Sequence, residues 1–118
     1  MKSLFDLKEK NVLVTGGGRG LGRTMALALA DFGANVAIVD INLDTAEATA
    51  DEITAKSVKS LAIMGDVTDE LDATEAVTTV VDTWSTLDIL VNNAGIATVE
   101  PAEELSLKTF KNIYDIDV

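Results

Sequence analysis

The 118 residues are enough for one domain with a real core, and 9 basic against 20 acidic side chains give a net charge of −11, which repels nucleic-acid phosphates and anionic lipid. With no cysteine and no histidine, disulfides, thiolate chemistry, imidazole–zinc sites and a histidine general base are excluded. Apolar residues make up 47% but aromatics only 4%, so the core must be built from Val, Ile, Leu and Ala, as in a buried parallel sheet.

The N-terminal MKSLFDLKEKN scatters charges among its apolar residues and lacks the form of a signal peptide. No apolar run approaches the ~20 residues that span a bilayer, so a soluble, cytoplasmic protein is expected. Val12-Leu13-Val14 is a short apolar strand that runs into Thr15 and a glycine cluster. From about Gly20 to Phe32, Leu21, Met25, Ala28, Leu29 and Phe32 recur at helical spacing, and Gly33 stands where a helix ends. Val36–Val39 reads as a strand, Leu43–Ala55 as a helix and Leu61–Met64 as a strand. Asp69–Trp84 follows as a helix with Val77, Val80, Val81 and Trp84 on one stripe, then the strand Ile89–Val91.

Four strand–helix units with short links predict an α/β fold, a doubly wound parallel sheet of about four strands with helices on both faces. No linker or second domain is visible between residues 1 and 118. A last helix is expected from Ser106, after Pro101, Glu103 and Glu104, and it is still running at FKNIYDIDV.

The strand-to-helix loop TGGGRGLG places Gly16, Gly20 and Gly22 in the spacing G-x-x-x-G-x-G. A bare backbone at a helix N-terminus lets a pyrophosphate lie against free N–H groups, so a nucleotide is the expected ligand; a glycine-rich turn with no ligand is the alternative. The stricter dinucleotide pattern G-x-G-x-x-G fails, because its last position falls on Leu21, Arg23 or Met25. A P-loop nearly fits over Gly17–Thr24, but Arg23 replaces the lysine, and a guanidinium does not substitute for that compact ammonium. S-adenosylmethionine-dependent methyltransfer stays open, although Val14-Thr15 lacks the acidic residue such proteins carry before the glycines.

Asp40 closes the second strand 18 residues after Gly22, near the ~20 at which a carboxylate meets an adenosine ribose and repels a 2′-phosphate. NAD is therefore expected over NADP, with Arg19 pulling the other way. Asp66 and Val67 follow the third strand, where a carboxylate can accept from an adenine amino group while the next side chain flanks the ring. LVNNAG, Leu90 to Gly95, sets paired amides at a strand end and a bare backbone beyond them.

Together these stretches resemble the short-chain dehydrogenase/reductase family: TGGGRGLG matches its T-G-x-x-x-G-x-G loop, Asp66-Val67 its adenine-pocket pair, and DILVNNAG its N-N-A-G motif. The resemblance spans essentially the whole chain and implies a Rossmann-like, NAD(P)-binding domain. It assigns the pyrophosphate to Gly16, Gly18, Arg19, Gly20 and Leu21, the ribose to Asp40, and the adenine to Asp66 and Val67. The nicotinamide-side ribose falls to Asn93, Ala94 and Gly95, with Asn92 structural. It also implies an alcohol or carbonyl substrate and a homo-oligomeric parent protein.

Two positions depart from the family pattern. Ser85 stands where glycine is usual at a helix end, at a cost of ~1 kcal/mol if left-handed. Asp117 stands at an asparagine that supports a proton-relay water.

The family's chemistry rests on a tyrosine with a lysine four residues on, whose charge lowers the phenol pKa. Here the single tyrosine is Tyr114 and Tyr114 plus four is Val118. The expectation is an N-terminal cofactor-binding portion of a longer dehydrogenase, inactive alone, with a bare sheet edge beside Ile89–Val91; the rival is a complete, non-catalytic NAD-binding module.

Overall fold

Alternation of side chains across a strand decides how this sheet is packed. In the computed structural model, which describes residues 6–16, 18 and 20–93 and the backbone of 98–101, β1 (Asn11–Thr15) is buried along its whole length. Val12 and Val14 point into one apolar cluster and Leu13 into another, as the two-residue period of a strand requires. The chain then runs through α1 (Gly20–Asp31), β2 (Asn35–Asp40), α2 (Leu43–Thr54), β3 (Ser60–Met64), α3 (Glu70–Trp84), β4 (Ile89–Asn92) and β5 (Thr98–Pro101).

The strand order is β3-β2-β1-β4-β5, with β1 to β4 parallel. Ala26, Ala30, Ala46 and Ile53 of α1 and α2 cover the Val12/Val14 face, and Ala73, Ala76 and Val80 of α3 cover the Leu13 face. This is the doubly wound, Rossmann-like sheet expected from the alternation of strands and helices. Because the chain steps from β1 outward to β3 and then returns to the other side of β1 with β4, the strand order reverses between β1 and β4. Ligands of such sheets bind at that crevice, beyond the C-terminal strand ends.

Polar residues at the strand starts align the sheet at its opposite end. Asn35 Nδ2 donates to Asn11 Oδ1 at 3.0 Å, Lys59 N donates to Asn35 Oδ1 at 3.0 Å, and Asn11 N donates to Asp88 Oδ2 at 2.9 Å. One linked set of bonds thus ties the segments that open β1, β2, β3 and β4. The helix termini follow local chemistry as well. The side chains of Asn42 and Asp69 accept from first-turn amides of α2 and α3, and Gly33, at φ +97°, ends α1.

Three expectations are corrected. The buried stripe of α1 is Gly22, Ala26 and Ala30, spaced four apart, whereas Leu21 and Phe32 are 60% and 46% exposed and Ala28 is exposed too. Small residues win because α1 lies too close to the sheet for larger ones; Met25, Leu27 and Leu29 pack at its flanks. On α3, Val81 is turned outward, at 40% exposure, while Val80 is fully buried.

The expected bare edge at Ile89–Val91 is paired instead. β5 runs antiparallel to β4 with Ile89 opposite Pro101 and Asn92 opposite Thr98. A short reverse connection suffices for an antiparallel pair, and a proline is tolerated on an edge strand. The last helix, Tyr114 and Asp117 lie outside the described residues.

Candidate dinucleotide site

Thr15 ends β1 with its hydroxyl fully buried. Its Oγ1 accepts from the Asn93 backbone N–H at 2.7 Å and lies 3.4 Å from Asn92 Oδ1, so the ends of β1 and β4 are bonded across the crevice. Asn92 is fully buried, in keeping with a structural role, and Asn93 is half-buried at the mouth.

Gly16 follows at φ +64°, its N–H donating to Val39 O at 2.7 Å. That left-handed turn is one glycine adopts at little cost, and it carries the chain off the strand. The loop then lies down on β2 and α2. Gly18 N donates to Asp40 Oδ2 at 3.1 Å, and Thr49 Oγ1 donates to Gly18 O at 3.0 Å. Asp40 is 7% exposed, and its other oxygen accepts the Asn42 N–H at 3.0 Å. Each carboxylate oxygen has two acceptor sites, so Asp40 retains capacity for ribose hydroxyls.

At Gly20, also left-handed at φ +61°, a side-chain carbon would meet nothing within 4 Å, so open space borders the start of α1. The first-turn amides there have no intrahelical acceptor and carry the positive end of the helix dipole. No acidic residue stands in that first turn to compete for them. Leu21 is exposed beside them.

Below the loop, Gly16, Val39, Asp40, Ile41, Asp66 and Val67 line a cavity of about 310 Å³. Val67 is nearly buried, and Asp66 is exposed on the turn after β3. Asp66 Oδ1 accepts from Thr68 Oγ1 at 2.6 Å and Thr68 N at 3.0 Å. These two bonds, the hydroxyl's first, hold the Asp66 carboxyl below the usual aspartate range.

Arg23 is directed away from the loop: its Nε donates to Glu52 Oε1 at 3.1 Å, forming an exposed ion pair between α1 and α2. The arginine at the lysine position of the P-loop-like pattern therefore binds a carboxylate. Among the described residues there is no cluster of potential metal ligands and no helix long and apolar enough to cross a membrane.

The sequence profile of the short chain dehydrogenases matches residues 10–118. The chain belongs to the short-chain dehydrogenase family. It is 41% identical over 112 residues to sorbitol dehydrogenase from Cereibacter sphaeroides, covering 95% of this chain and 43% of that protein. It spans less than half the length of the curated relatives it matches. The crystal structure of NAD+-bound xylitol dehydrogenase superposes with a TM-score of 0.72 at 34% identity, over 76% of this chain and 35% of that one. The NADP complex of RhlG from Pseudomonas aeruginosa superposes with a TM-score of 0.71 at 36% identity, over 78% and 37%. Solved neighbours of this chain thus include both an NAD+ and an NADP complex.

Gly16, Asp40, Asp66 and Val67, singled out from the sequence, share the wall of one cavity, and Gly18 is bonded to Asp40 above it. Asn93 belongs to the same end of the sheet: a side-chain carbon on Gly16 would lie 3.5 Å from its Nδ2. Arg19, Ala94 and Gly95 lie outside the described residues. Ile41 and Thr49 were missed. Ile41 is 65% exposed yet walls the cavity beside Asp40, and an apolar residue directly after a strand-end carboxylate is its only sequence signal. Thr49 had a clearer one, a polar residue on the apolar face of α2 between Ala46 and Ile53.

A larger depression of about 900 Å³ opens at the other end of the sheet, by Asn11, Phe32 and Trp84. The Asn11 and Asn35 amides there are spent on each other, on Thr86 and on the Lys59 backbone. The smaller cavity lies instead at the strand C-termini, at the crevice where ligands of such sheets bind.

Proposed function

We propose that this chain is the NAD(H)-binding part of an oxidoreductase that moves hydride between an alcohol and a carbonyl. The observation that carries the choice of NAD is Asp40, a carboxylate at the end of β2 held by two backbone N–H groups beside the cavity. A 2′-phosphate placed there would meet a fixed negative charge, whereas ribose hydroxyls would meet an acceptor. Fit to a dinucleotide rests on the open space at Gly20, the bare loop backbone and the cavity walled by Ile41 and Val67.

When bound, the nicotinamide supplies the hydride chemistry. The residues of this chain bind and orient it. The start of α1 faces the pyrophosphate, Asp40 accepts from the adenosine ribose, and Asp66 and Val67 bracket the adenine. Asn93, fixed through its N–H to Thr15, is proposed to meet the nicotinamide-side ribose, to which the family motif also assigns Ala94 and Gly95.

No Tyr-x-x-x-Lys pair occurs within residues 1–118. This chain is therefore proposed to bind the dinucleotide without turnover, with the proton donor and substrate pocket supplied in a longer, homo-oligomeric, cytoplasmic parent. The relatives named for sorbitol and cyclohexanol favour polyols and secondary alcohols as that parent's substrates.

The test is titration of the purified chain with NAD, NADP and S-adenosylmethionine, followed by absorbance assays with NAD and a polyol panel. Binding of NAD with no turnover is expected. Preference for S-adenosylmethionine, or NADH formation by the chain alone, would overturn the reading.

A further inference from the structure

Thr49 uses its hydroxyl differently from Thr24 and Thr79. Thr24 Oγ1 donates to Gly20 O and Thr79 Oγ1 to Glu75 O, each the carbonyl four residues back within its own helix, the default for such a residue. Thr49 instead donates to Gly18 O, 31 residues away, across the junction between α2 and the glycine loop. The side chain is 1% exposed and lies among Ala46, Ala50 and Ile53 on the buried face of α2.

Gly18 is held through both of its flanking peptide groups. Its N–H goes to Asp40 Oδ2 at 3.1 Å and its C=O receives the Thr49 hydroxyl at 3.0 Å. The fit is tight: a side-chain carbon on Gly18 would stand 2.8 Å from Asp40 Oδ2 and 2.8 Å from Thr45 Oγ1. A loop with few side chains has little else to fix it, because glycine-rich backbone is the most costly to order.

We propose that Thr49 is a positioning residue for the dinucleotide: by clamping the Gly18 carbonyl it holds the glycine loop in its binding conformation before the ligand arrives. The clamp also links the two ends of the site. Asp40, proposed to accept from the ribose, and Thr49 on α2 hold the two peptide groups that flank Gly18, so disturbing α2 is felt where the pyrophosphate would lie. The inference rests on the reading of this loop as a dinucleotide site.

The test compares Thr49→Val, which keeps the shape and removes the donor, with Thr49→Ser, which keeps the hydroxyl. NAD affinity is read by calorimetry, and ligand-free stability by urea unfolding followed through Trp84 fluorescence. A carbonyl left without its partner is expected to weaken NAD binding about tenfold in Thr49→Val under conditions where the chain is fully folded. Thr49→Ser is expected to bind within about threefold of the wild type, since the donor remains.

If Thr49→Val does not fold, Thr49→Cys, with a weaker donor, is measured, and intermediate affinity is expected. Wild-type affinity in the folded donor-poor variant, even with lowered stability, would reduce Thr49 to packing and overturn the clamp alone. Failure of the wild type to bind any dinucleotide would overturn the site reading and the clamp with it.

Discussion

Gly22 stands so close to Gly16 that a side-chain carbon on it would lie 2.1 Å from the Gly16 carbonyl oxygen. That distance is far inside van der Waals contact, so α1 can lie against the turn that leaves β1 only because position 22 has no side chain. Gly22→Ala is expected to push α1 off the loop, at about 1–3 kcal/mol of stability. Dinucleotide binding should fall with it. Urea unfolding reads the first effect and calorimetry the second; a stable variant that binds normally would show that the junction yields.

Asp40 holds the loop besides its proposed contact with the ribose, so its replacement should do more than switch cofactor preference. In Asp40→Ser the charge that opposes a 2′-phosphate is gone, but so is the acceptor of the Gly18 N–H. NADP binding is expected to rise relative to NAD. NAD affinity itself should drop about tenfold or more, the scale of losing a hydrogen bond to a charged group. Unchanged NAD affinity would mean the carboxylate faces neither the loop nor the ribose in solution.

Ser85 ends α3 in the left-handed region, at φ 73°, with its N–H on Val81 O at 2.8 Å. Ser85→Gly relieves that conformation and should stabilise the fold by about 0.5–1 kcal/mol. In a domain of this size the melting temperature should rise by about 2–4 °C. The site is distant, so NAD affinity should stay the same.

The Thr68 bonds favour the ionised form of Asp66. A carboxyl whose folded pKa is depressed contributes stability that is present above the unfolded pKa and lost as pH falls through the folded one. This window lies on the acid side of the ordinary aspartate range. Thr68→Val removes the hydroxyl donor while keeping the backbone one, and an NMR titration should find the Asp66 pKa moved upward. No change would mean that the side-chain bond is not populated in solution.

The four parallel strands could be read from the sequence because each is a short apolar run bounded by glycine or polar turn residues, and the two-residue period sorts Val12 and Val14 from Leu13. Asp40, Asp66 and Val67 could be placed near one another because parallel strands bring their C-terminal ends to one edge. The burial of α1 could not be read that way. Hydrophobic size pointed to Leu21, Met25 and Phe32, while close approach to the loop selected Gly22 and packing on the sheet face took Ala26 and Ala30. β5 was hidden because its four residues include a proline and carry little strand signal. Thr49 was legible only as a polar residue on an apolar face, because the carbonyl it holds lies 31 residues away in sequence, and the cavity that Ile41 walls is made by packing.

The measurement that tests the account most directly is calorimetric titration of the chain with NAD and with NADP in one buffer. The expected result is saturable 1:1 binding of NAD, with NADP weaker by about tenfold or more from the unfavourable meeting of its phosphate with Asp40. Equal or tighter binding of NADP, or heat from neither, would contradict it.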